Sequence, residues 1–401
     1  MIMKNVGIVA EYNPFHAGHG ILLDKIKANL GEDCTFICCM SGNFAQRGEP
    51  ALWDKWQRAQ LAVESGADLV LELPTPWAAA GAQRFARGSV SLLKETGVVD
   101  VLAFGSECGD LASLEQTADC LETERFRAAL REGLDLGLPF AQARQQAVHR
   151  CAGATSDVLS GPNDSLAVEY LAALKKLGAV MTPLAIRREG AGHDAAPERG
   201  TASASAIRAL LRAGEGKRAA AYLSPAGREH LSEWPLSDWE RCERAALARL
   251  RMMTEEDFLA LPDCGEGLHR RLMAAARQGC SLREIAALAK TKRYPLARIR
   301  RALLWAALGL RADEQPELPP YLKALAFDER GQALLARMKK TAALPVLSRP
   351  ASGKHWAGAA GSVLRQEARC TDLYDLTLPS VPPCGREWTT PPAFCRKKGK
   401  V

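Results

Sequence analysis

The chain has 401 residues, of which 53 are Lys or Arg and 46 are Asp or Glu, giving a net charge of +7; hydrophobic residues make up 47% and charged residues 25%. This balance excludes the low-hydrophobicity, high-charge signature of disorder and points to two or three globular domains. No apolar run approaches the roughly 20 residues of a membrane helix, and the start meets Glu11 too soon for a signal peptide, so a cytoplasmic location without membrane contact is expected.

The first half alternates strand and helix patterns. Residues 6–10 form a short apolar run, and residues 20–29 carry Ile21, Leu22, Lys25 and Ile26 at helical spacing. Residues 35–40 are a second apolar run, followed by a polar loop over 41–50. Helical periodicity over 53–65 leads to a third strand at 68–73; a helix at 85–96 leads to a fourth strand at 98–104. Strands separated by helix-length segments predict βαβ units and a parallel sheet. Residues 111–149 read as helices at the edge of that domain, 165–177 as a helix, 179–186 as a fifth strand and 203–213 as a short helix. From 218 to 340 the pattern is helical with no strand run, and from 345 Pro379, Pro382, Pro383, Pro391 and Pro392 mark an irregular tail packed on the body. The expected division is a catalytic α/β domain over 1–217, a helical domain over 218–344 and a C-terminal extension over 345–401. The 12 cysteines contain no C-x-x-C pair, so they are expected to be small apolar residues in a reducing compartment rather than zinc or redox ligands. Nothing in the sequence indicates the oligomeric state.

The chemistry is concentrated after the first strand, in Glu11-Tyr12-Asn13-Pro14-Phe15-His16-Ala17-Gly18-His19. Ligands of open parallel sheets bind at the carboxyl ends of the strands, and a helix N-terminus there suits phosphate. His16 and His19 are three residues apart, so both can face one side of the first turn.

H-A-G-H in this place resembles the HxGH signature of the nucleotidylyltransferase superfamily, whose members have a Rossmann-like core and transfer an adenylyl group from ATP. The second superfamily signature, an ISSTxxR-like motif before a late helix, is matched in part by Thr201 to Arg208, where Ser203, Ser205 and Arg208 are kept while Ala202 and Ala204 depart from it. The longer context resembles the bacterial tRNA(Met) cytidine acetate ligase family. It is carried by the segment around His16, by Ser41-Gly42-Asn43-Phe44-Ala45-Gln46-Arg47-Gly48-Glu49-Pro50-Ala51, by Phe104-Gly105-Ser106-Glu107, by Gly161-Pro162-Asn163, by Arg188-Glu189-Gly190-Ala191-Gly192-His193-Asp194 and by Lys290-Thr291-Lys292-Arg293-Tyr294. The resemblance spans about residues 3–310.

This resemblance implies two steps. ATP and acetate give acetyl-adenylate and pyrophosphate; the acetyl group then passes to N4 of the wobble cytidine of elongator tRNA(Met), giving N4-acetylcytidine. It places the ATP contacts in Gly7-Ile8-Val9-Ala10-Glu11-Tyr12-Asn13-Pro14-Phe15-His16-Ala17-Gly18-His19-Gly20, at Gly105, Asn163 and Arg188, and at Ser203, Ser205 and Arg208. His16 and His19 are the expected catalytic pair, as hydrogen-bond donors to phosphate oxygens. Arg188 or Arg208 is expected on the pyrophosphate. Mg²⁺ is expected with the ATP phosphates, since no carboxylate cluster announces a metal cage.

Other features read two ways. Residues 46–50 suit either a mobile rim loop or a structural turn, and Arg47, Lys55 and Arg58 either RNA contact or solvated surface. His193-Asp194 could pair near the phosphates or cap a loop. From Arg283 to Arg301 seven cations, among them Lys290, Lys292, Arg293, Arg298, Arg300 and Arg301, face a single Glu284; this is the expected RNA-binding cluster, with Tyr294 able to stack on a base. The basic end over 396–400 could assist or be a solubilising tail. Competing readings are a small-molecule adenylyltransferase of the HxGH superfamily and a non-catalytic RNA-binding protein.

Overall fold

The structure is a computed structural model and describes residues 3–152, 158–188 and 202–396. Among the described residues ten strands are formed: β1 (Asn5–Ala10), β2 (Thr35–Ser41), β3 (Phe44–Ala45), β4 (Glu49–Pro50), β5 (Leu69–Leu73), β6 (Val101–Ser106), β7 (Thr182–Arg187), β8 (Leu322–Phe327), β9 (Val346–Leu347) and β10 (Ala393–Phe394). The main sheet runs β10-β8-β5-β2-β1-β6-β7, with β9 paired to β8. From β5 to β7 every pairing is parallel. The central strands β2 and β5 are buried on both faces, which is why they read as continuous apolar runs.

Helices cover both sides. Ala17–Leu30 and Lys55–Glu64 place Leu23, Ile26, Leu61 and Val63 in one core, while Ala82–Glu95 and Pro162–Lys176 place Phe85, Val90, Val168 and Leu171 in the other. The α/β class, the parallel core and the helical body that follows are as the sequence predicts. That body, which includes Glu243–Met252, Leu268–Gln278, Leu282–Ala289 and Leu296–Leu308, encloses Phe258, Leu272, Ile285 and Trp305. It is keyed to the catalytic part by Trp305, whose Nε1–H donates to the Ala79 carbonyl at 2.7 Å.

The end of the chain differs from the expectation. β8 lies inside the span expected to be helical and pairs antiparallel with β5. Its Lys323 interrupts the apolar pattern and hid the strand. In the fold this lysine is 1% exposed and paired with Glu72 at 3.0 Å and with Glu387. The span expected to be irregular contains an 18-residue helix, Gly358–Asp375. Its apolar period is obscured because Gln366, Glu367, Thr371 and Asp375 face inward.

Lys55 and Arg58 are neither RNA contacts nor solvated surface. Both are almost fully buried. Lys55 pairs with Glu72 at 2.5 Å and Glu387 at 2.7 Å. Burial pushes the Glu387 carboxyl up, but Lys323 and Lys55 override it and hold it at about 2, while burial and the Glu72 charge push Glu367 up to about 8. Ionised groups at this depth need such compensation.

Candidate active site

The strand order reverses between β1 and β6, so the crevice at their carboxyl ends is the expected ligand position. β1 runs directly into Glu11 and the first turn of the helix Ala17–Leu30. His16 caps that helix. Its Nδ1 accepts from the Gly18 N–H at 3.1 Å, and His19 Nδ1 accepts from the His16 N–H at 3.2 Å. The two rings stack with centroids 3.8 Å apart. A Cβ at Gly18 would lie 3.0 Å from the His16 ring, so a larger residue here would press on the imidazole.

This arrangement determines protonation. A nitrogen that accepts a backbone N–H carries no proton, so a neutral ring holds its proton on Nε2. Burial, reinforced by the Arg188 guanidinium, lowers the His16 pKa from 6.5 to about 4. Burial, then His16 and Arg188, lower that of His19 well below the ordinary value. Near neutral pH the pair therefore presents two Nε2–H donors beside a helix N-terminus, a combination suited to phosphate oxygens.

The opposite wall follows β6. The Arg188 side chain lies over Gly105, and the Arg188 N–H donates to the Ser106 carbonyl at 2.8 Å. Asn163 opens the helix Pro162–Lys176, and its backbone and side-chain amides donate to Glu107 Oε1 at 3.1 and 2.6 Å. Glu107 also takes the Asp164 N–H at 2.6 Å, and Asp164 in turn receives the Glu107 and Cys108 N–H groups at 2.8 and 3.0 Å together with the Ser106 hydroxyl. This exchange of carboxylates locks Gly105 to Asn163. Asp164 carries no sequence signal beyond its place next to Gly161-Pro162-Asn163.

Ser203 caps the helix Ala204–Arg212 and lies 3.0 Å from the Ser205 hydroxyl. Arg208 reaches the same region but is already engaged, with Asn13 O at 2.9 Å and Glu49 Oε1 at 3.0 Å. Thr201, His193 and Asp194 lie outside the described residues. The loop over 46–50 is part of the β3–β4 hairpin. Gly48 has φ +78°, and a Cβ there would meet the Arg300 and Arg301 backbone at 2.5 Å, so only glycine lets the hairpin sit on the helix Leu296–Leu308. Arg58, missed as a site residue, holds this rim together by donating to the carbonyls of Glu11 at 2.5 Å, Ser41 and Trp53 at 3.0 Å, and Gly42. A buried guanidinium serving four carbonyls has no local sequence signal.

Of the expected RNA contacts, Lys290, Lys292, Arg293 and Arg300 are exposed and Arg298 and Arg301 partly so. Tyr294 is not available to stack on a base: it is 8% exposed and its hydroxyl donates to the Glu266 carbonyl at 2.6 Å. Arg293, Arg298 and Arg301 line one wall of a cleft of about 840 Å³, with Arg84, Arg87 and Lys176 of the catalytic part on its other side. None of the residues around His16 lines this cleft. Lys397 to Lys400 lie outside the described residues.

With this geometry in view, comparison with known proteins is decisive. The HIGH Nucleotidyl Transferase family pattern matches residues 3–385. The tRNA(Met) cytidine acetate ligase of Syntrophomonas wolfei is 36% identical over 97% of this chain and 99% of its own length. This chain belongs to the tRNA(Met) cytidine acetate ligase family. It is therefore an enzyme of the ligase class. The protein of the same name from Clostridium perfringens is 33% identical over 94% of this chain and 96% of its own length. The crystal structure of Thermotoga maritima TmcAL in its apo form superposes with a TM-score of 0.91 at 32% identity, covering 98% of this chain and all of that one. The same protein bound with alpha-thio ATP superposes with a TM-score of 0.89 at 31% identity over the same shares. Among the described residues no cluster of three or more His, Cys, Asp or Glu side chains is arranged to hold a metal ion, and no helix is long and apolar enough to cross a membrane.

Proposed function

We propose that the chain activates acetate with ATP and transfers the acetyl group to N4 of the wobble cytidine of elongator tRNA(Met), giving N4-acetylcytidine, in the cytoplasm. The observation that carries the first step is the pair of neutral imidazoles at the β1–β6 crevice, in a chain matching over nearly its full length a protein bound with alpha-thio ATP. Acetate is already ionised and needs no base to attack the α-phosphorus. The protein's task is to align it and to stabilise charge on the phosphates. His16 and His19 supply Nε2–H donors beside the positive end of the helix dipole, and Arg188 supplies a cation whose charge acts on both rings. Arg208 would have to exchange Glu49 for pyrophosphate to take part, and Ser203 and Ser205 offer hydroxyls at a second helix start. The rest of residues 7–20, with Gly105 and Asn163, form the nucleotide cradle. Mg²⁺ enters on the ATP phosphates with its waters.

In the second step the cytidine base enters from a single-stranded loop, which lowers the cost of unstacking. The helical part over 218–344 is proposed as the RNA-binding domain, with Lys290, Lys292, Arg293, Arg298, Arg300 and Arg301 as phosphate contacts. The 840 Å³ cleft, lined by seven cations against four carboxylates, supports this reading. The test is ATP–pyrophosphate exchange with and without acetate, followed by acetyl transfer to elongator tRNA(Met). Exchange that requires acetate, and transfer that requires the tRNA, are expected. Tight tRNA binding with no exchange for any carboxylate overturns the reading.

A further inference from the structure

We propose that Glu11 is the base of the transfer step, receiving a proton from the cytosine N4 amino group as that nitrogen attacks the acetyl carbonyl carbon. The inference rests on the two-step reading above and assigns the Glu11 carboxylate to the acceptor, while the Glu11 backbone keeps its place in the nucleotide cradle.

Position and preparation both favour it. Glu11 follows β1 at the carboxyl edge of the sheet, and its neighbour Tyr12 packs against the His19 ring at a centroid distance of 4.9 Å. Its backbone carbonyl is held by Arg58 at 2.5 Å, and one carboxylate oxygen takes the Gln46 N–H at 2.6 Å. No other hydrogen bond reaches the carboxylate among the described residues, and the side chain is partly open to solvent. The group is thus aimed by one oxygen and available through the other.

Elimination points the same way. Neither imidazole can act as base, because each Nδ1 is occupied by a backbone N–H and each Nε2 carries the proton. Among the described residues the other carboxylates at the strand ends are committed: Glu49 to Arg208, Glu107 and Asp164 to one another's helix and loop amides, and Glu72 to Lys55 and Lys323. The first step involves only anionic reactants, which a carboxylate repels. The second involves a neutral N–H nucleophile, which a carboxylate accepts; a carboxylate taking a hydrogen bond from cytosine N4 is an established recognition pair. The route to RNA is short, because Gln46 also receives Arg301 on its carbonyl at 3.5 Å, from the helix that bears the basic cluster.

In this step the N4–C bond forms, the C–O bond of the mixed anhydride breaks, and its electron pair leaves on a phosphate oxygen of AMP. The N4 proton passes to Glu11 and then to solvent.

The test is E11Q, whose amide oxygen can still accept the Gln46 N–H. A positioned base contributes about 10²–10⁴-fold, so single-turnover acetyl transfer is expected to slow by that factor, while acetate-dependent ATP–pyrophosphate exchange falls at least tenfold less. Transfer within threefold of wild type, or equal losses in both half-reactions, overturns the proposal; equal losses would return Glu11 to the nucleotide site. Wild-type protein lacking acetate-dependent exchange overturns instead the parent reading, and this inference with it.

Discussion

Replacing His16 with Asn keeps an N-cap acceptor for the Gly18 N–H and removes the imidazole. In the folded protein burial and Arg188 lower the His16 pKa from 6.5 to about 4. Between those values the unfolded chain binds the proton and the folded chain does not, so stability is complete above about pH 6.5 and declines as the pH falls toward 4. The whole difference corresponds to about 3 kcal/mol, of which roughly 2 kcal/mol is lost by pH 5. The ring is almost fully buried, so solvent screening takes little from this figure. Urea unfolding of both proteins at pH 7.5 and pH 5 measures it. Wild type is expected to lose about 2 kcal/mol more than His16→Asn over that interval, because the other titrating groups are common to both and burial, the largest cause of the His19 shift, persists in the variant. An equal loss in the two proteins would refute the neutral, amide-anchored histidine. At neutral pH the same variant lacks one phosphate donor, and acetate-dependent exchange is expected to fall about 10²–10³-fold.

Three further outcomes follow from other parts of the structure. Lys323→Met leaves Glu72 and Glu387 sharing Lys55 alone, and is expected to cost about 3–5 kcal/mol by denaturant unfolding; adding Glu387→Gln should recover part of this, and a single-variant loss under about 1 kcal/mol would contradict the pairing. Gly48→Ala forces a Cβ against the Arg300 and Arg301 backbone at an expected cost of about 2 kcal/mol or more, and should depress acetyl transfer more than exchange; unchanged stability would mean that the hairpin does not sit on that helix. Arg293→Gln and Arg298→Gln should each weaken tRNA binding and reduce the slope of log affinity against log salt by roughly 0.7–0.9 per lost phosphate contact; an unchanged slope would remove these residues from the RNA interface.

The sequence alone was enough to establish the alternating strands and helices of the core, the H-A-G-H turn at the end of β1 and the family. Each is encoded within a short contiguous stretch: strand burial as apolar runs, helix faces as a 3.6-residue period, and the histidine pair as an i, i+3 spacing that the first helical turn converts directly into stacked rings. What tertiary structure decided was the fate of charged and polar residues. Lys55 and Arg58 read as RNA contacts or solvated surface in the sequence, yet they and Lys323 are buried because rim carbonyls accept from Arg58 and the carboxylates of Glu72 and Glu387 pair with both lysines. Tyr294 looks like a base-stacking platform, yet its hydroxyl finds the Glu266 carbonyl and its ring joins the helical core. Arg208 looks like a free phosphate ligand, yet Glu49 holds it. Strand β8 stayed hidden for the same reason. A buried charge is tolerated only where its partner is, and those partners are brought from distant parts of the chain, a relation that no local pattern records.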